Sequence, residues 1–346
     1  MKVVRPLVIV AIFVVFVAGA LGAWFAAYGQ EPTSVRQTAV KPELAILDTD
    51  IGDDYDDATA TALAVSSPEL QLLGITTPYG DTELRARLLD RFLAAVGRSD
   101  IPVAAGVPTP HHNVFTQAAY AQQAPERRHR DAAEFILSLI RAHPDQITLI
   151  AIGPLNNIQA AIERDPATFR QLKRVVMMGG SVYRGYGNAG APPVAEWNIL
   201  CDPLGAKELL ASGVPVFMLP LDSTQIPLDT ERREVVFSNG SPLTDQLALL
   251  YHQWLVGTDG HPLAPILYDS VAVAYSLRPD LCPMAPMHLE VDDRGFTRPS
   301  SGIPNAQVCL TADEKGFLEF DIGRLTKREG PERPTAIADL TKSSNR

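Results

Sequence analysis

Basic side chains are in deficit: 30 Lys and Arg stand against 40 Asp and Glu, for a net charge of −10 at pH 7. They form no stripe that could track a phosphate backbone, and no glycine-rich loop runs into a Gly-Lys-Ser or Gly-Lys-Thr step. Both absences argue against nucleic acid as a partner and against P-loop nucleotide chemistry. Cysteine is scarce, with three residues and no zinc-knuckle spacing. Cys282 and Cys309 flank a hairpin-like region and can pair in an oxidising compartment, leaving Cys201 over; three buried free thiols fit the sequence equally well. Internal repeats and low-complexity tracts are absent, which excludes solenoids and extended disordered arrays.

Apolar residues are abundant, at 46% of 346 residues, enough for one large α/β domain or two modest ones. Lys2 and Arg5 precede an uncharged run from Pro6 to Gln30. Its apolar part, Leu7 to Ala27, approaches the roughly 20 residues that span a bilayer. The expectation is an exported protein, secreted or periplasmic, in which residues 1–30 are a signal peptide or a retained membrane anchor. Small residues at Ala18, Ala20, Gly22 and Ala23 suit cleavage, and no Cys follows to carry a lipid. Residues 31–42 read as a linker, 43–326 as the catalytic domain and 327–346 as a flexible tail.

Within the domain, apolar strand-like runs alternate with helical patterns. Leu44–Leu47, Leu70–Thr77, Ile101–Ala105, Ile147–Ile152, Arg174–Met178 and Val214–Leu219 read as strands. Thr59–Ser66, Thr82–Val96, Ala132–Ala142, Leu155–Arg164 and Pro203–Ser212 read as helices between them. Near-continuous apolar strands separated by helices predict a single α/β domain with a mainly parallel, Rossmann-like central sheet flanked by helices. Leu243–Val256 and Asp269–Leu277 predict two more helices. Runs at His288–Val291, Ala306–Leu310 and Gly316–Phe320 predict strands of a small antiparallel extension near the C-terminus.

Six of the ten residues from Asp48 to Asp57, in the run DTDIGDDYDD, are aspartates. Like charges this close raise one another's pKa or demand a counter-charge, and the nearest basic residues in sequence are Lys41 and Arg85. An acidic run is often only a solvated loop. This one joins a strand, Glu43–Leu47, to a small-residue helix, Ala58–Val65, and strand C-terminal ends are where open α/β sheets bind ligands. Carboxylates without nearby His or Cys select a hard cation, Ca²⁺ or Mg²⁺. An EF-hand is excluded, because its sixth and twelfth positions would be Asp53 and Thr59.

LDTDIGDDYDDATA resembles the N-terminal signature of the nucleoside hydrolase family, and four further segments resemble that family in the expected order. They are ITTPYGD (Ile75–Asp81), AIGPLNNI (Ala151–Ile158), MMGGSVYRGYGNAGAPPVAEWNILCDP (Met177–Pro203) and LYDSVAVAY (Leu267–Tyr275). The resemblance spans about Pro42 to Pro279. It implies Ca²⁺-dependent hydrolysis of the N-glycosidic bond of ribonucleosides, and with the N-terminal segment the expected role is nucleoside salvage outside the cytoplasm. It implies that Asp50, Asp57, Asp269 and the backbone carbonyl of Asn156 hold the Ca²⁺, and that Asp50 also acts as the base. Asp56, Asn188, Glu196 and Asn198 match positions that grip ribose hydroxyls, with Asp48 in a supporting position. A locally extended EWN would project Glu196 and Asn198 to one side.

Three departures from the family stand out. The first motif is two residues longer than usual. Asp81 replaces an Asn that touches the sugar. Tyr268 stands where purine-cleaving members often have a base-protonating His, which makes it the leaving-group candidate here. Of Tyr79, Tyr183, Tyr186, Trp197, Tyr251 and Trp254, two are expected to face a base, and His111 and His112 read as solvated loop histidines. The expected partner is a small-molecule nucleoside, with membrane contact only through the N-terminal segment and homo-oligomer formation left open. The alternatives are a haloacid dehalogenase-type phosphatase, disfavoured by the four further acids after ILDTDIG, and a non-catalytic exported Ca²⁺- or nucleoside-binding protein.

Overall fold

Seven of the nine strand-like runs of the sequence, joined by two short strands at Arg130–Asp131 and Met284–Met287 that the sequence reading did not give, fold into one nine-stranded sheet, seen in a computed structural model that describes residues 41–258 and 264–327. The strands are β1 (Glu43–Asp48), β2 (Leu70–Thr77), β3 (Val103–Ala105), β4 (Arg130–Asp131), β5 (Ile147–Ala151), β6 (Arg174–Met178), β7 (Val216–Leu219), β8 (Met284–Met287) and β11 (Ala306–Cys309). β9 (Leu289–Val291) and β10 (Thr297–Pro299) form a separate antiparallel pair. The order β4-β3-β2-β1-β5-β6-β7-β11-β8 is parallel throughout except for β8. The chain runs outward from β1 to β4 and then returns to β5 on the other side of β1. That reversal opens a crevice at the carboxyl ends of β1 and β5, the switch point where α/β sheets bind ligands.

The central strands are buried because helices cover both faces, giving one core cluster on each side of the sheet. Helix Asp56–Val65 is buried along its whole length. Its Ala and Thr side chains are small enough to let another small-residue helix, Tyr268–Leu277, lie close against it, and Ser270 Oγ donates to Thr59 Oγ1 at 3.0 Å across that contact. This packing brings two helix N-termini, one carrying Asp56 and Asp57 and the other Asp269, to the same place.

The predicted strand at Gly316–Phe320 is instead part of helix Glu314–Leu325. Asp313 caps it by accepting from Gly316 N at 3.0 Å, and Phe317, Leu318, Asp321 and Leu325 bury one helical face. Five residues of apolar character cannot by themselves distinguish the two periods. β3 and β7 start two residues later than their apolar runs, since Pro102 and Pro215 lack the N–H a ladder needs. The proposed signal or anchor, most of the linker and most of the tail lie outside the described residues. Among the described residues no helix is long and apolar enough to cross a membrane.

Cys282 and Cys309 form a disulfide with a Cα–Cα distance of 5.8 Å, beside the β8–β11 pair in which Met284 faces Cys309. It closes a sequence separation of 27 residues. Replacing both cysteines by Ser is expected to lower stability by about 2–4 kcal/mol through the freer unfolded chain. A thermal melt unchanged by the substitutions and by reductant would refute this contribution.

Candidate active site

The crevice at the end of β1 is lined by Asp50, Asp53, Asp54, Asp56, Asp57, Asp269 and Glu196, together with Asn113, Asn198, Tyr186, Trp197, Tyr268, Ile152 and Met178. Half of these residues are carboxylic acids, so the site stands only with counter-charges, protons or cations in it.

Asp48, the last residue of β1, is fully buried behind the crevice. Its Oδ1 accepts from Thr76 Oγ1 and from Asn157 Nδ2 at 2.8 Å, and burial pushes its carboxyl up to about 7. Asp50 is pushed up to about 7 as well: burial raises it, Arg85 opposes the rise and Asp53 adds to it. Gly153 lets the end of β5 come close to Asp50. A Cβ there would lie 2.7 Å from Asp50 Oδ1.

Asp56, Asp57 and Asp269 are buried and offer carboxylate oxygens that all lie within 4.8 Å of one another. Thr49 Oγ1 donates to Asp57 Oδ1 at 2.5 Å. Burial, reinforced by the mutual repulsion of the aspartates, holds all three well above the ordinary carboxylate range. The donor set is hard oxygen alone, and its crowded charge fits a divalent cation of the Ca²⁺ or Mg²⁺ kind. The closest trio includes Asp56, while Asp50 lines the same crevice beside it.

Glu196 and Asn198 both reach the crevice, by a different route from the extended EWN expected. Glu196 is the extended N-cap of helix Trp197–Cys201, and Asn198 lies in the first turn of that helix. Glu196 accepts from Gly180 N at 2.8 Å, Asn198 N at 2.9 Å and Ile199 N at 3.3 Å, and burial pushes its carboxyl up to about 7. Asn198 Nδ2 donates to the carbonyls of Met178 at 3.2 Å and Ile152 at 3.3 Å. Tyr268 stands edge-on to Tyr186, with ring centroids 6.1 Å apart. Burial, then repulsion by Asp56 and Asp54, raises the Tyr268 phenol above its ordinary value.

Asp81, Asn188 and Asn156 are not among the residues that line the crevice. Asp81 is exposed and caps helix Thr82–Ala95 through Leu84 N at 3.0 Å. Asn188 is exposed, and its carbonyl accepts from Ala191 N. Asn156 begins helix Asn156–Arg164, with a buried Oδ1 that has no hydrogen-bond partner among the described residues. Of the six aromatics, Tyr186 and Trp197 line the crevice, whereas Tyr251 and Trp254 pack with Tyr55 in the core. Tyr79 is buried against Trp197 and His111, and Tyr183 is exposed.

The sequence names Arg85 only as one of the two nearest basic residues; the structure makes it the local counter-charge. Arg85 is fully buried, donates to the carbonyls of Asp50 and Ile51, and pairs with Asp53 at 2.9 Å. His111 is not a solvated loop histidine: its Nε2 lies 2.8 Å from Asp53 Oδ2. A lone Arg inside an otherwise apolar helix face was the available signal for the first; nothing local pointed to the second.

A family model described as "Inosine-uridine preferring nucleoside hydrolase" matches residues 45–319. The pyrimidine-specific ribonucleoside hydrolase RihA of Citrobacter koseri is 32% identical over 81% of this chain and 97% of its own length. Uridine nucleosidase 1 of Arabidopsis thaliana is 29% identical over 83% and 94%. Among solved structures, a plant nucleoside hydrolase, PpNRh1, superposes with a TM-score of 0.74 at 25% identity, covering 83% of this chain and all of that one. A purine-preferring ribonucleoside hydrolase from Gardnerella vaginalis gives 0.70 at 26% identity, covering 82% and 98%.

Proposed function

We propose a detailed function from one established premise: the chain belongs to the inosine-uridine preferring nucleoside hydrolase family. Its reaction class is therefore hydrolysis of the N-glycosidic bond of a ribonucleoside, in which water adds to the anomeric carbon and the base departs with a proton. The observation that carries the rest is the meeting of Asp50, Asp56, Asp57 and Asp269 with Glu196 and Asn198 in one crevice.

In this reading Asp50, Asp57 and Asp269 would hold Ca²⁺, and the family resemblance adds the backbone carbonyl of Asn156, a residue outside the crevice lining. When bound, the cation supplies charge neutralisation and Lewis acidity. Asp50 takes the proton from the attacking water. Glu196 and Asn198 receive ribose hydroxyls, and Asp56 is close enough to Asp57 and Asp269 to serve either the cation or a hydroxyl. The same carboxylates stabilise positive charge developing on the sugar. Incubating the purified protein with a nucleoside panel and measuring free base and reducing sugar is the test; no release from any member would overturn the reading.

Tyr268 is the group we place beside the departing base. With its phenol raised above the ordinary value, it donates a hydrogen bond but gives up its proton poorly. Tyr268→Phe is therefore expected to lower kcat/KM by about 10- to 100-fold, and Tyr268→His to shift preference toward purine nucleosides. Unchanged rates and base preference in both variants would reduce Tyr268 to packing beside Asp269.

The site of action in this reading is outside the cytoplasm. The basic start, the apolar run from Leu7 to Ala27 and the disulfide support it, since disulfides persist in oxidising compartments. Cell fractionation is the check: activity confined to the cytoplasm would refute it.

A further inference from the structure

Asp53 is set apart within its run by a direct ion pair to a buried cation. Arg85 Nη2 donates to its Oδ2 at 2.9 Å, and His111 Nε2 lies 2.8 Å from the same oxygen. The other Arg85 donors go to the carbonyls of Tyr79 at 2.9 Å, Ile51 at 3.1 Å and Asp50. One buried guanidinium thus ties the strand-end backbone to Asp53, and Asp53 ties both to the segment running from Val107 to Gln117.

That segment is anchored at each end to the same loops. Thr109 N donates to Gly80 O at 3.1 Å, and Gly80 N donates to Thr109 Oγ1 at 2.8 Å. Thr116 Oγ1 donates to Asp53 O at 2.9 Å, and Gln117 N donates to Gly52 O at 3.0 Å. Phe115 packs on Gly52, whose φ of +131° and lack of a Cβ permit the contact; a Cβ would lie 1.9 Å from the ring. Between the anchors, Asn113 is the segment's one residue in the crevice lining, and it is exposed.

We propose that Asp53 is a positioning residue which, through Arg85 and His111, holds this segment so that the Asn113 amide meets the base of the bound nucleoside. The inference rests on the nucleoside hydrolase reading. Asp50, Asp56, Asp57, Asp269, Glu196 and Asn198 are the buried polar residues of the crevice, to which the hydrolase reading assigns the ribose and its reacting carbon, whereas Asn113 is exposed, on the side left for the base. A primary amide both donates and accepts, so it complements a base edge that carries adjacent C=O and N–H groups.

The test uses the full-length protein, with uridine and inosine as probes, together with hydrogen exchange of the 107–117 segment measured without substrate. Asp53→Ala and Asn113→Ala are each expected to raise KM about 10-fold while kcat stays within about 3-fold, and the double variant to resemble the worse single one. Exchange in the segment should accelerate in Asp53→Ala and stay unchanged in Asn113→Ala. His111→Gln, which keeps an N–H donor, should behave like the wild type, and His111→Ala like Asp53→Ala. Asp53→Asn keeps the side-chain shape and should move the same readouts less, guarding against a folding artefact. Unchanged exchange in Asp53→Ala, or KM effects that multiply in the double variant, would overturn the proposal. Absence of nucleoside cleavage by the wild type would count against the hydrolase reading, and the exchange measurements would still decide whether Asp53 holds the segment.

Discussion

Asp50→Asn is expected to lower kcat by about 10³-fold or more, near the upper range for loss of a general base, while the fold persists. The substitution keeps the side chain's size in a buried place beside Gly153, so it opens no cavity. Its effect on stability should run opposite to its effect on turnover. Asp50 has a folded-state pKa raised from 3.8 to about 7, so in cation-free protein its ionisation favours unfolding, and stability falls as pH rises through that window. Asn removes this penalty. At pH 8 the cation-free variant should melt above the cation-free wild type, and at pH 4 the two should converge. By contrast, Asp53→Asn should leave kcat within about 3-fold, because Asp53 acts on position rather than on bond breaking. Steady-state rates and calorimetric melts on both variants decide the matter; full turnover in Asp50→Asn with loss in Asp53→Asn would exchange their roles.

Removing divalent cations should abolish activity, and adding Ca²⁺ should restore it. Asp56, Asp57 and Asp269 are buried together with raised pKa values, so near neutrality the empty cluster must carry protons or strain. A cation lifts both costs by favouring the ionised forms, and its binding is in turn favoured by rising pH. Ca²⁺ at a hundred times its Kd should stabilise the protein by about 2.7 kcal/mol. The gain in melting temperature should be larger at pH 8 than at pH 5, where protons compete for the same oxygens. Isothermal titration of chelator-treated protein is the direct measurement. Affinity weaker than millimolar, or full activity in excess chelator, would remove the cation from the mechanism.

Sequence and structure contribute unequally to these outcomes. The sheet was legible because strands such as ILDTD's apolar lead and ITLIA are buried on both faces and therefore read as unbroken apolar runs. Turn residues and helical periods between them then leave a parallel sheet as the simple solution. The position of the aspartate run at the end of β1 was legible for the same reason. At Gly316–Phe320 the local pattern misleads, because so short a run carries no period, and only packing of Phe317 and Leu318 makes it helical.

The amino-acid sequence by itself determined the parallel α/β plan, the place of the site at a strand end and the hard-oxygen character of its donors, since each follows from local pattern and composition. Only the tertiary structure decided which partners the individual aspartates face. Asp53 turns to Arg85, 32 residues away, and to His111, 58 residues away, while Asp57 meets Asp269 because Thr59 and Ser270 join helices whose contact spans 211 residues. Asp81 and Asn188, promising by position, face solvent. In a loop, the direction of a carboxylate is set by the backbone angles at residues such as Gly52 and by partners that distant segments bring to it, and neither is encoded in the spacing of the run.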